Sequence, residues 1–383
     1  MSAVVNNFLK RGAELCAARK PFTLVLGNEA GDMDSIIGSI FLALYLETHS
    51  DLGKGNYVPA LNFEKEDLPL RGDVINLFSK HEISTEWLLS VKGTPGMGNF
   101  LDLQTIQGDV VLYDHNKLVP EQSFLEKNVV GVIDHHFDEK LYLDRSSHFR
   151  RIETVGSACT IVAELFRAAE LTIPCPQLLL AAIVLDTVNF NPEQKKVTEK
   201  DVVLSQWLLQ QIAEPINLTK MFSELAAWKH DILGLNFSQH FRRDYKKFEC
   251  SFTRYSNKSL QLGISSISCR FDQLLGSLGM PELASNCLEF LASKNVDALL
   301  LAFAGERGSG NYCRQLSFIA KGIVLEALKE FAKSSPAGII FTLIDSTQQN
   351  EWELICYELS DPSVSRKRLA PALLMFLASW QKL

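Results

Sequence analysis

Four unbroken apolar runs organise the first half of the chain: FTLVLG (22–27), DVVLYD (109–114), VVGVID (129–134) and LLLAAIVLD (178–186). Runs without polar alternation suit strands covered on both faces, as in a parallel sheet. The last run is dominated by Leu and Ala, and its pattern fits a helix equally well. Amphipathic stretches fall between the runs at 35–47 (SIIGSIFLALYLE), 73–80 and 156–170 (GSACTIVAELFRAAE) and read as helices. A short amphipathic helix is also expected at the N-terminus. Alternating strands and helices predict an α/β fold whose N-terminal domain is a doubly wound, mainly parallel sheet.

Near 190–215 the pattern changes. NFNPEQKKVTEKD is polar and carries a proline, and VVLSQWLLQQIAEP reads as a connecting helix. The expected organisation is a catalytic domain over 1–192, a linker over 193–215 and a smaller C-terminal α/β domain over 216–383. In that second domain LQLGISSIS, ALLLAFAG and GIIFTLID read as strands and 318–332 as a helix, while GERGSGNYCR (305–314) reads as a surface turn.

Three of the four early runs close on an aspartate: Asp114, Asp134 and Asp186. The first run is followed, after a short turn, by NEAGDMDS, which holds Asp32 and Asp34. Ligands of open α/β sheets bind beyond the carboxyl ends of the strands, so a shared strand-end position would gather these acids into one crevice. Each alone has an ordinary role in a turn or cap. Together, beside His135 and His136, they would repel one another without a positive charge among them. Oxygen ligands with one or two imidazoles suit Mg²⁺ or Mn²⁺, with Co²⁺ tolerated. An extended backbone over 32–34 would point both carboxylates the same way, leaving Ser35 as the N-cap of the following helix. Two such ions about 3.5–4 Å apart activate water for phosphoryl transfer.

Composition narrows the partners. A net charge of −7 argues against general nucleic-acid binding, which needs excess Lys and Arg. The eight cysteines contain no Cys-x-x-Cys pair and read as buried thiols of a reducing compartment. No apolar run is long enough to span a bilayer, and QKL at the end matches two of the three residues of the peroxisomal Ser-Lys-Leu signal. A cytoplasmic monomer with no membrane partner is expected.

GDMDS, YDHN, IDHH and IVLDT stand in the order and approximate spacing of the four motifs of the DHH phosphoesterase superfamily. RRDYKKFE (242–249) and SRKRLAP (365–371) resemble the two basic motifs of the DHH-associated C-terminal domain. That domain marks the branch of family II inorganic pyrophosphatases, eukaryotic cytosolic exopolyphosphatases and prune proteins. The resemblance covers about residues 20 to 375. It implies that Asp32 and Asp114 hold one metal ion, and Asp34, Asp114, His135 and Asp186 a second, with Asp114 bridging. His136 would contact substrate phosphate, with Asp134, His115 and Asn116 in support. Lys246, Arg366 and Lys367 would grip the anionic chain in a two-domain clamp.

Asn28 stands where family II pyrophosphatases carry histidine and yeast-type exopolyphosphatases asparagine. An amide is the poorer transition-metal ligand, so Asn28, also placed among the substrate contacts, favours Mg²⁺. His136 replaces the arginine usual in prune proteins. The implied activity is release of terminal orthophosphate from inorganic polyphosphate by metal-activated water, with His136 and Asp114 catalytic. The alternatives are a family II type pyrophosphatase and a prune-like cyclic-nucleotide phosphodiesterase or partner-binding regulator.

Overall fold

A computed structural model describes all residues except 50, 94–98, 147, 233, 253–258, 277, 309–310, 335–337 and 381–383. The C-terminal QKL therefore lies outside the described residues, as do two positions of GERGSGNYCR. The chain divides into two units, Met1–Asp231 and Ile232–Leu383.

The first unit runs α1 (Ser2–Ala17), β1 (Thr23–Leu26), α2 (Met33–Thr48), β2 (Tyr57–Glu64), α3 (Gly72–Lys80), β3 (Leu89–Lys92), β4 (Val110–Tyr113) and β5 (Val129–Asp134). It continues through α4 (Leu143–Ser146), β6 (Arg150–Ile152), α5 (Ala158–Ala168), α6 (Pro176–Asp186), α7 (Glu199–Gln210) and α8 (Leu218–His230). All six strands are parallel, in the order β3-β2-β1-β4-β5-β6. The apolar runs are continuous because each strand feeds two cores. Leu24, Leu26, Val110 and Leu112 enter one buried cluster, whereas Val25, Val111 and Tyr113 enter the other. The order reverses between β1 and β4, and such a switch point opens a crevice beyond the strand ends.

The fourth apolar run is helix α6. Pro176 starts it at the first turn, where its missing N–H costs nothing. Nearly every residue is buried, so no polar face exists to reveal a helical period. Asp186 thus arrives at the crevice on a helix end. The expected linker is also overturned. Residues 193–215 contain α7, and α7 and α8 pack on α3, α5 and α6 within the first unit. Leu204, Leu208 and Leu225 are buried there, which ties both helices to that core. The second unit accordingly begins at Ile232, not at 216.

That unit contains α9 (Phe237–Arg243), β7 (Tyr245–Cys250), β8 (Leu260–Ile267), α10 (Phe271–Leu275), α11 (Met280–Lys294), β9 (Ala298–Arg307) and β10 (Asn311–Lys321). It ends with α12 (Gly322–Lys333), β11 (Phe341–Gln349), β12 (Trp352–Leu359) and α13 (Arg366–Ser379). The sheet order is β11-β12-β10-β9-β8-β7, antiparallel except for the β8–β9 pair. Residues 318–321, expected to open a helix, finish β10 instead, because Phe318 and Ala320 face one core and Ile319 the other. Strand β11 starts at Phe341, later than the expected 338. Arg307 pairs with Asn311 across a β9–β10 hairpin, so GERGSGNYCR belongs to a hairpin. Among the described residues no helix is long and apolar enough to cross a membrane.

Gly38 lies in α2 against the fully buried Tyr113 ring, and an added Cβ would sit 1.8 Å from the phenol oxygen. Gly38→Ala is therefore expected to destabilise the first unit by about 1–3 kcal/mol through overpacking. An unchanged urea midpoint would contradict this packing.

Candidate metal centre

The loop leaving β1 is fastened before it reaches its acids. Gly31 has φ +56° and lies against the Phe63 ring, leaving no space for a side chain. Arg71 stacks over the same ring at 4.7 Å and donates to the Gly31 and Ala30 carbonyls at 3.0 and 2.5 Å. Asp32 then caps α2, accepting the Ser35 N–H at 3.1 Å. This corrects the expectation that Ser35 is the cap. The Ser35 hydroxyl instead accepts the Asn28 N–H at 2.7 Å. Nor are residues 32–34 extended throughout. Only Asp32 is, and Asp34 is already in the first helical turn, where an acid favours the helix dipole.

Asp34 is 2% exposed and serves a second helix. It accepts the N–H groups of Ala158 and Cys159 at 2.7 and 2.8 Å and the Tyr113 hydroxyl at 3.1 Å. It thereby caps α5, whose own N-cap Ser157 makes no side-chain cap bond. Asp114 follows β4 with φ +61°, a conformation costly for a residue with a Cβ and typical of functional positions. Asn28 donates to its Oδ2 at 2.6 Å, while the Asn28 Oδ1 accepts the Gly31 N–H at 2.9 Å. Asn28 is thus turned toward Asp114, where it favours the ionised carboxylate.

His135 donates through Nδ1 to the Val155 carbonyl at 3.0 Å, which aims Nε2 inward. That nitrogen lies 3.3 Å from Asp114 Oδ1 and 3.8 Å from Asp34 Oδ2. His136 keeps Nδ1 on Asp134 at 2.8 Å and 3.7 Å from Asp114 Oδ1, with 58% of its side chain exposed. Asp134 is wholly buried and also accepts the N–H groups of His135 and His136 and the Asn116 amide. Asn116 further ties down the loop through the Phe137 carbonyl and the Glu139 N–H, both at 2.9 Å. His115 turns Nδ1 back to Tyr113 at 2.9 Å.

Electrostatics confirm how crowded the acids are. Burial, and then the charge of Asp34, push Asp114 up to about 8. Burial and the charges of Asp34 and Asp32 raise Asp186 well above the usual carboxylate range, with the neighbouring Ser157 hydroxyl acting the other way. Asp32 is raised by burial and by Asp34. Burial opposes protonation of His135, but the Asp114 carboxylate 3.3 Å away and the charge of Asp34 outweigh that and lift it to about 10. Burial opposes ionisation of Asp134, yet bonds from His136 and Asn116 hold it below its ordinary value.

Two buried oxygens, Asp114 Oδ1 and Asp186 Oδ2, have no hydrogen-bond partner. Ligand atoms of Asp114, His135 and His136 all lie within 4.8 Å of one another. Orphaned carboxylate oxygens beside imidazoles fit an oxygen-preferring divalent cation. Sequence reasoning quoted Tyr113 within YDHN without giving it a role, and it missed Arg71, which stands just before α3 and reaches the loop from a remote part of the chain.

The basic residues gather on the second unit. Lys246 is exposed on β7 opposite Ile264. Arg366 opens α13, pairs with Asp244 at 2.6 Å and reaches the Ile264 carbonyl at 3.5 Å. Lys367 follows it, exposed, in the same first turn.

With this geometry in hand the family follows. Residues 23–185 match the DHH family N-terminal domain, and residues 223–376 match the DHHA2 domain. The chain belongs to the DHH superfamily. It is 28% identical over 372 residues to exopolyphosphatase PRUNE1 of Mus musculus, covering 94% of this chain and 76% of that protein. The Homo sapiens PRUNE1 match is 28% identical over 370 residues, covering 94% and 77%. The manganese-dependent inorganic pyrophosphatase of Methanocaldococcus jannaschii is 25% identical over 237 residues, covering 59% and 66%.

A cation must displace the protons that the crowded acids retain. Asp114 is raised above its unfolded value, so its stabilising contribution to the metal-free fold is full at low pH and is lost as pH rises through about 8. Divalent-ion affinity should move oppositely, tightening with pH toward about 8 and releasing protons at pH 7. Calorimetry in buffers of different ionisation enthalpy counts those protons, and zero release at pH 7 would contradict the assignment.

Proposed function

We propose that the chain is a metal-dependent exopolyphosphatase that removes terminal orthophosphate from inorganic polyphosphate. The observation that carries this reading is the pair of buried carboxylate oxygens on Asp114 and Asp186 that accept no hydrogen bond, the first of them facing His135. Asp32, Asp34, Asp114, His135 and Asp186 are the proposed ligands of two divalent ions, with Asp114 shared and Mg²⁺ favoured over Mn²⁺ or Co²⁺. Bound there, such ions would supply Lewis-acid polarisation and a nucleophilic water.

The chain's own residues do the rest. Asp134 holds Nδ1 of His136 and raises its pKa, which favours the imidazolium. The ring's other nitrogen is then a donor on an exposed side chain, suited to a phosphate oxygen. Asn28 is the proposed restraint on Asp114, donating to the oxygen that does not face His135. Lys246, Arg366 and Lys367 are the proposed contacts to the polyanion. Arg offers forked hydrogen bonds and Lys a point charge. Hydrolysis adds water across a terminal P–O–P bridge, giving orthophosphate and a chain one unit shorter.

The names of the relatives support a phosphoanhydride substrate and leave a pyrophosphatase as the second reading. Phosphate release from diphosphate, triphosphate, long polyphosphate and cyclic AMP, each with Mg²⁺, Mn²⁺ or Co²⁺, separates them. Turnover of diphosphate far above that of longer chains would favour the pyrophosphatase.

Asp114→Ala should abolish release, because one substitution removes the proposed shared ligand. Lys246→Ala should mainly raise KM, by about tenfold for a lost charge-assisted contact. Near-normal turnover of Asp114→Ala after chelation and Mg²⁺ restoration would contradict the shared-ligand role.

A further inference from the structure

Residues 155–159 restrain three of the proposed ligands at once. The Val155 carbonyl orients His135, the Ser157 hydroxyl neighbours Asp186, and the Ala158 and Cys159 N–H groups hold Asp34. This short segment is itself held by Asp201, in the first turn of α7. Asp201 is 0% exposed. Its Oδ2 accepts the Gly156 N–H at 2.9 Å and both the N–H and hydroxyl of Thr198 at 2.7 Å. Its Oδ1 accepts the Thr160 hydroxyl at 2.5 Å.

A capping box requires only the reciprocal bonds between Thr198 and Asp201. The bonds to Gly156 and Thr160 exceed what the cap of α7 needs, and both lead toward the metal centre. Gly156 confirms how closely the parts fit. A Cβ there would meet Thr187 Cγ2 at 2.5 Å, the Lys196 carbonyl at 2.8 Å and Asp201 Oδ2 at 3.0 Å. Thr187 directly follows Asp186. Lys200, the neighbour of Asp201, also bonds Glu153 at 2.5 Å and Glu164 at 3.0 Å, gripping both ends of the same connection.

We propose that Asp201 is a positioning residue for the metal centre, fixing the 155–159 segment so that His135, Asp34 and Asp186 present their ligand atoms together. The proposal rests on the metal-centre reading above. Asp201 lies in α7, has no hydrogen bond to any of the proposed ligands and acts through the Gly156 N–H and the Thr160 hydroxyl. Its removal should loosen the ligands without removing any of them.

The test is Mn²⁺ binding by titration calorimetry on the full chain, alongside thermal stability. Asp201→Ala should weaken Mn²⁺ binding about 10–100-fold, the usual cost of losing a support behind metal ligands. Asp201→Asn should rescue most of it, because the amide oxygen can keep the donors at Oδ2. Its NH₂ can meet the Thr160 hydroxyl, which accepts as readily as it donates. Leu208→Ala, in the core further along α7, should lower Tm yet leave Mn²⁺ affinity unchanged.

If Asp201→Ala does not fold, Thr160→Val carries the same test, with a smaller loss of affinity expected. Wild-type affinity in Asp201→Ala or in Thr160→Val would overturn the proposal alone, as would an equal loss of affinity in Leu208→Ala. No Mn²⁺ binding by the wild-type chain would overturn the metal-centre reading and this proposal with it.

Discussion

Like charges withdrawn from water repel strongly, and the first unit is built around containing that repulsion. Asp34, Asp114 and Asp134 are buried at one crevice, with Asp32 and Asp186 partly exposed beside them. Each is contained differently. Asp34 spends its oxygens on two backbone N–H groups and a phenol. Asp134 accepts from both histidines and Asn116. Asp114 receives Asn28 and the approach of His135 and His136, while Oδ2 of Asp186 has no hydrogen-bond partner. A buried polar group without a partner costs about 1–3 kcal/mol, and the left-handed backbone at Asp114 adds a cost of similar size. Folding alone would not select such an arrangement, and the incomplete pairing is what the proposed divalent ions would satisfy.

The sheet makes that cost bearable. Six parallel strands with apolar side chains on both faces form a stiff core, and the acids stand just past their ends. Reversal of strand order between β1 and β4 places the loop of Asn28, Asp32 and Asp34 beside the turn carrying Asp114. Hydrogen bonds across that gap, Asn28 to Asp114 and Tyr113 to Asp34, register the two strand ends against each other. The strain is therefore local, and the structure opposing it is extensive. This is the condition under which unfavourable backbone and charge arrangements persist.

Legibility in the sequence followed from the same physics. A doubly buried strand is an apolar run, and an acid ending such a run is conspicuous, so Asp114 and Asp134 were readable together with their strands. Asp186 was readable as an acid but not as the end of a helix, because α6 is buried all round and lacks a polar face. The boundary at 193–215 misled because α7 presents a mixed, mostly polar surface, and Leu204, Leu208, the buried Asp201 and the partly buried Trp207 and Leu209 commit it to the first unit. Asp32 and Asp34 are conspicuous acids, yet the role of Asp34 as cap of a second helix depends on α5, distant in sequence. Arg71 and Asp201 act through contacts between remote elements, and no local pattern announces them, while the YDHN motif contains Tyr113 without revealing its bond to Asp34.

The basic corner of the second unit obeys the complementary rule. Arg366 and Lys367 occupy the first turn of α13, where the helix dipole is already positive and cations are disfavoured. Asp244 offsets Arg366 directly, with a carboxylate oxygen at 2.6 Å and its own carbonyl as a further acceptor. Lys367 and Lys246 are exposed, so water shares the burden of their charge. Arg366 is thus held in shape by Asp244, while the lysines keep long, solvated side chains able to follow a phosphate. A polyanion arriving there would meet one fixed fork and two adaptable point charges. The corner thus combines one side chain fixed by an ion pair with two that stay free to move in solvent.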